Sequence, residues 1–150
     1  MMKRDKSVIA SMLGAASTLA GEAVSLLLVR LGVGLHDIYS FDSIIVTVNR
    51  YSIGYGLLVN IIAGGVTAVL LYYALEKIGS ECILYKAVAL STLAWFFVEF
   101  LSTAYFEGKL IDIRPLGDYA VHFIGAFANG IMLGLLFKWV LYRRPQKKAN

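Results

Sequence analysis

Hydrophobic and polar positions divide the chain into four long apolar blocks separated by short polar breaks. The blocks cover residues 8–31, 53–74, 83–106 and 116–141. Each holds 22 or more residues, against the roughly 20 that an α-helix needs to cross ~30 Å of hydrocarbon. The pattern predicts an all-α integral membrane protein, a four-helix transmembrane bundle running up-down-up-down, with residues 1–150 forming one domain. The basic start and the stretch Gly14-Ala15-Ala16-Ser17 have the features of a cleaved leader. The apolar run continues unbroken to Val29, so the first block is read as a span.

Within the blocks, small and polar residues recur at helical spacing. Ser11, Gly14, Thr18, Gly21 and Ser25 fall three and four residues apart, within a stripe of ~80° at 100° per residue. Such a seam lets membrane helices approach closely. Glu22 sits at its edge. The second block carries Gly56, Asn60, Gly64 and Thr67 on one face. The third places Thr92, Trp95, Ser102 and Thr103 within ~60° of Glu99. In the fourth, His122, Gly125, Ala126 and Asn129 share a face from which Gly130 and Gly134 turn away.

The breaks carry their own signals. In 32–52, Phe41, Ile44, Ile45 and Val48 recur at i, i+3, i+4 and i+7. This predicts a short helix, on the outer surface or extending the second span, with Asp42, Thr47 and Asn49 pointing elsewhere and Ser40 or Asp42 as its cap. His36-Asp37 reads as a solvated turn. Gly79 suits the end of the second span and Ser80 the start of the third. The segment 107–116 reads as a solvated turn whose charges, Glu107, Lys109, Asp112 and Arg114, form surface ion pairs of small value. Pro115 and Asp118 suit the first turn of the last helix. A weak duplication relates the two helical hairpins: Glu22-x-x-Ser25 matches Glu99-x-x-Ser102.

Composition agrees with the membrane reading. The chain is 59% hydrophobic and 16% charged, with a mean hydropathy of +0.71, whereas soluble domains are nearer 45–50% apolar and about 25% charged. Of 14 Lys and Arg residues, Lys3, Arg4, Lys6, Lys77, Lys86, Lys138, Arg143, Arg144, Lys147 and Lys148 lie on the side of the termini. Only Arg30, Arg50, Lys109 and Arg114 lie on the other. The bias predicts cytoplasmic N- and C-termini for a multi-pass protein of the cell membrane. The expected partners are the lipid bilayer and a second copy or another membrane protein. No basic stripe interleaved with aromatics suggests nucleic acid. The single cysteine, Cys82, cannot close an internal disulfide and is expected on the reducing side.

The candidate chemistry is a set of polar residues inside the spans. An ionisable side chain at mid-membrane costs roughly 2.5–3.5 kcal/mol on insertion scales, so it should face protein or water. Counting ~1.5 Å per residue from the outer ends, Glu22 and Asn60 lie about 14 Å deep, Glu99 about 10 Å and His122 about 9 Å. One comes from each span, all in the outer half. They are expected to converge, with one of the two carboxylates holding its proton and His122 able to exchange it.

Such a cluster serves as structural glue, as a proton or cation site on a permeation path, or as a site for a metal or polar ligand. No HxxxH, ExxH or CxxC spacing supports a metal, and no haem, P-loop, GxGxxG or GxSxG signature appears. No cofactor, metal or enzyme activity is expected, although Glu99 and His122 have the residue types of an acid–base pair acting on lipid. The leading expectation is an oligomeric transporter or channel for protons, cations or a small polar solute. Glu22 and Glu99 would carry the charge, His122 would relay protons, and Asn60 and Asn129 would line the path. The alternative is an accessory subunit of a larger membrane complex, its polar cluster fixing helix register.

Overall fold

The computed structural model describes residues 5–48 and 50–142. Five α-helices follow in order: α1 Lys6–Arg30, α2 Ile38–Thr47, α3 Ile53–Ile78, α4 Ile83–Tyr105 and α5 Leu116–Leu136, the last continuing as a π-helical segment, Phe137–Leu141. Four of these units are long and apolar enough to cross a membrane: Lys6–Arg30, Ile53–Ile78, Ile83–Tyr105 and Leu116–Leu141. They coincide with the four apolar blocks to within a few residues. The architecture is that of a small multi-pass membrane protein. Asn49 and the basic residues Lys3, Arg4, Arg143, Arg144, Lys147 and Lys148 lie outside the described residues.

Small residues set the packing order. A Cβ at Gly14 would sit 2.2 Å from the carbonyl oxygen of Gly64, so the seam of α1 meets α3 backbone to backbone. Further along the same seam, a Cβ at Gly21 would lie 2.8 Å from the carbonyl oxygen of Gly125 on α5. Gly130 and Gly134, on the opposite face of α5, lie against Val88 and Leu84 of α4. The bundle therefore runs α3–α1–α5–α4, each helix packed along its neighbour, while α3 and α4 touch little although a short turn joins them. A two-fold relation between the hairpins would make the α3–α4 contact match the α1–α5 contact, and it does not.

The two ends of the bundle differ in chemistry. Towards the chain termini, Ala10, Ala68, Leu71, Leu75, Ile83, Ala87, Leu133 and Phe137 pack into a buried apolar core, with Tyr72 at its edge. Towards the opposite end, the buried side chains are Glu22, Ser25, Asp37, Glu99, Arg114, Asp118 and His122. Large apolar side chains such as Leu19, Leu93, Phe96, Phe97 and Phe100 point outward, as a lipid-facing surface requires.

The connections depart most from expectation. Rather than lying on the surface or prolonging α3, α2 is wedged into the polar end, burying Tyr39, Ser40, Phe41 and Ser43. Gly56 permits this: a Cβ there would lie 2.0 Å from the carbonyl oxygen of Tyr39. The cap of α2 is Asp37, which accepts from the Ser40 N–H at 2.7 Å, in place of Ser40 or Asp42. Ser43 ties the end of the helix back, its hydroxyl donating to the Arg50 carbonyl at 3.0 Å and accepting from the Ser52 N–H at 2.7 Å. At the other end, Gly79 (φ +82°) terminates α3 as anticipated, but α4 starts after Cys82 (φ +53°) and not at Ser80. Lys86 closes this turn by donating to the Gly79 carbonyl at 2.9 Å.

Candidate functional site

Glu99 organises the polar end through a partner from outside the spans. Its Oε1 accepts from Arg114 Nη1 at 2.8 Å, and both side chains are at most 5% exposed. The Arg114 backbone N–H donates to Glu107 Oε1 at 2.7 Å, and its Nη2 reaches Glu107 Oε2 at 3.2 Å. Tyr119 adds a hydroxyl to that second oxygen at 2.7 Å. The guanidinium carbon lies 4.1 Å from the Phe41 ring centroid and 4.9 Å from that of Tyr119, the stacking that a planar cation favours. Most of the segment after α4 is exposed, as its charges suggested, but Ile111 and Arg114 turn inward, so the Arg114 ion pairs are buried and not on the surface. Arg114 turns inward because the buried Glu99 carboxylate needs a counter-charge.

His122 completes the cluster. Its ring stacks on Phe41 with centroids 4.7 Å apart. Nε2 lies 3.0 Å from the carbonyl oxygen of His36; a carbonyl only accepts, so Nε2 carries the hydrogen. Nδ1 is left facing Glu99 Oε2 at 3.6 Å, and neither of these two buried atoms has a hydrogen-bond partner among the described residues. His36 itself is held by Asp118, whose Oδ2 lies 2.7 Å from Nδ1. Asp118 Oδ1 accepts from the Leu35 N–H at 2.6 Å. The His36-Asp37 turn is therefore pinned to the first turn of α5, and is not a free solvated loop.

The remaining expected members are placed in different ways. Glu22 is buried but does not join Glu99; its Oε2 accepts from the Tyr39 N–H at 3.1 Å and the Ser25 hydroxyl at 3.2 Å. It sits at the N-terminus of α2, where a carboxylate meets the positive end of the helix dipole. Asn60 donates to Asp42 Oδ2 at 2.7 Å, and Asn129 Oδ1 accepts from the Ser17 hydroxyl at 2.7 Å. Asn60, His122 and Asn129 do converge: with Thr18, Asp42 and Trp95 they line an internal chamber of about 100 Å³.

Asp42 and Arg114 are the residues that sequence reasoning missed. Asp42 follows Phe41 directly, so on a helix wedged between two walls it faces α3 while Phe41 faces α5. A lone arginine bracketed by apolar residues was the available signal for the second.

The chamber is continuous with a cleft of about 780 Å³ between α3 and α4, which shares Thr18, Asp42, Asn60, Trp95 and Asn129 and has walls of Val66, Leu70, Leu93 and Phe97. The cleft exists because α3 and α4 diverge from their shared turn. Burial pushes the Asp42 carboxyl up to about 6, with Glu99 adding to the rise and the Asn60 amide and His122 opposing it. Burial also acts to raise Glu107, but the Arg114 N–H, the Tyr119 hydroxyl and the Arg114 guanidinium outweigh it and hold that carboxyl below its ordinary value. Among the described residues, no three His, Cys, Asp or Glu side chains gather in a metal-holding group. No protein-family model, curated protein or solved structure matches the chain.

Proposed function

We propose that this small multi-pass membrane protein takes a proton, a cation or a small polar solute into the outer chamber and transports it, acting in the cell membrane as a homo-oligomer with both termini cytoplasmic. One observation carries the reading. Asp42, Asn60, His122 and Asn129 face one chamber that opens to the side, while the terminal half of the bundle is shut by apolar packing. A polar chamber closed at one end is what a one-sided binding state requires. The Glu99–His122 contact supplies a place to hold a proton, and Arg114 balances Glu99 without occupying the chamber. No chemical step on a substrate belongs to this reading.

Flux through proteoliposomes tests it. Wild-type protein is expected to dissipate an imposed proton or monovalent-cation gradient, and Glu99→Gln to slow this at least ten-fold. Equal rates for the two proteins, or no flux above empty liposomes, would remove the transport reading.

A second reading, an accessory subunit of a larger membrane complex, draws on α4, where Phe96, Phe97 and Phe100 project outward and Phe96 stacks on Phe100 at 6.4 Å. Here Glu99→Gln lowers the unfolding temperature and recovery of a partner on affinity purification, with no flux from either form.

A further inference from the structure

The first turn of α5 grips a separate piece of chain. A carboxylate in that position is favoured by the free N–H groups of its own helix, yet the wholly buried side chain of Asp118 reaches across to residues 35 and 36. Its Oδ1 accepts from the Leu35 N–H at 2.6 Å and the His36 N–H at 3.3 Å, and its Oδ2 lies 2.7 Å from His36 Nδ1. Glycines let the two segments meet. A Cβ at Gly117 would lie 1.8 Å from the Val33 carbonyl oxygen, and one at Gly34 would lie 2.7 Å from Asp118 Oδ1.

The strap 33–36 then returns to the same helix one turn on. The His36 carbonyl oxygen lies 3.0 Å from Nε2 of His122, which follows Asp118 by four residues and is 1% exposed. A carbonyl held there binds only an N–H, so the hydrogen of the neutral ring stays on Nε2. The opposite nitrogen, Nδ1, keeps its lone pair towards Glu99 Oε2 at 3.6 Å. Were the carbonyl to move away, the ring could carry its hydrogen on Nδ1, where Glu99 Oε2 is the nearby acceptor.

We propose that Asp118 is a positioning residue for the proton site: through residues 35 and 36 it fixes the hydrogen of His122 on Nε2, and so makes Nδ1 the nitrogen that takes up and releases a proton opposite Glu99. The proton adds to the Nδ1 lone pair, the ring becomes an imidazolium, and the same atom gives the proton up; the Nε2–H bond is neither made nor broken. The charged groups facing the ring are Glu99 of α4 and Asp42 of α2, with Arg114 stacked on the same Phe41 as the ring. Glu22, the acid of α1, is turned to the start of α2. The inference rests on the transport reading for what the proton does, while the identity of the nitrogen is measured without flux.

The test is magic-angle-spinning NMR of the full chain in lipid bilayers, with histidine carrying carbon-13 and nitrogen-15. The chain has 2 histidines, and His36→Gln assigns the signals by leaving His122 alone. Ring carbon and nitrogen shifts distinguish the two tautomers. In wild type the Nε2–H form of His122 is expected to outnumber the Nδ1–H form about ten-fold, the weight of leaving a buried carbonyl without its donor. On acidification the Nδ1 resonance should move and the Nε2 resonance stay near its starting value. Asp118→Ala is expected to remove the excess of the Nε2–H form. Asp118→Asn, whose side-chain oxygen still accepts from the strap and whose amide donates to His36 Nδ1, should retain it. Gly34→Ala, which pushes a methyl against Asp118 Oδ1 and leaves the carboxyl in place, should also lower the ratio, and keeps the test decisive if Asp118→Ala does not fold. A wild-type hydrogen on Nδ1, a ratio unchanged in Asp118→Ala or Gly34→Ala, or equal loss in Asp118→Asn and Asp118→Ala overturns the inference. The expected tautomer response without any flux leaves the assignment standing and removes transport; flux with a tautomer indifferent to Asp118 does the reverse.

Discussion

Arg114 decides how much of the polar end survives perturbation. Removing one partner of a buried ion pair costs about 3–5 kcal/mol, because the other charge is stranded. Arg114 neutralises two carboxylates, so Arg114→Ala should lie at the upper end of that range by chemical unfolding in detergent. Arg114→Lys keeps the charge but loses the fork and the stacking on Phe41 and Tyr119, and should fall between wild type and alanine. Glu107 gives a pH dependence of known sign. Its carboxyl is held below the ordinary value, so its contribution to stability is complete above about pH 4.5 and is lost as pH falls through the lowered value. The unfolding midpoint should drop on acidification below pH 4.5, and less steeply in Glu107→Gln. Neither role was legible in the residue string. Hydropathy marks Glu99 as a charge needing company, but its partner arrives from a connection that local sequence reads as solvated.

Helix by helix, legibility was uneven for a physical reason. A run of apolar residues long enough to span a bilayer has few alternatives, so α1, α3, α4 and the Leu116–Leu141 unit follow from hydropathy alone. Their order around the bundle depends on which glycine meets which backbone, and that follows from three-dimensional fit. Gly14→Val should abolish the α1–α3 contact and with it the folded protein in detergent, since even a Cβ would lie 2.2 Å from Gly64 O. Gly54, on the same hairpin, has open space around it; Gly54→Ala should leave the thermal midpoint within the equivalent of about 1 kcal/mol. The periodicity of residues 41–48 correctly signalled a helix but not its place. An amphipathic stripe shows that one face is covered, and α2 turned out to be covered on two, Phe41 meeting His122 and Asp42 meeting Asn60.

Across the molecule, asymmetry is the feature to explain: acids and their partners at one end, aliphatic packing at the other, and a lateral cleft where α3 and α4 part. The proposed topology puts the aliphatic end at the cytoplasmic side. Cys82 is the free and exposed thiol of that end, so a maleimide that cannot cross membranes should label it in inverted vesicles and not in intact cells. The whole functional reading depends on the chamber being shielded from bulk water while Asp42 faces it with no cation paired to it among the described residues. Infrared difference spectroscopy of purified protein, with aspartate carrying carbon-13 in its carboxyl, examines that state. A protonated-carboxyl band is expected below pH 6, disappearing as pH rises through about 6 and missing from Asp42→Asn. An Asp42 that stays ionised down to about pH 4, the ordinary aspartate range, would contradict it, because the carboxyl would then be in water and the chamber would not exist as described.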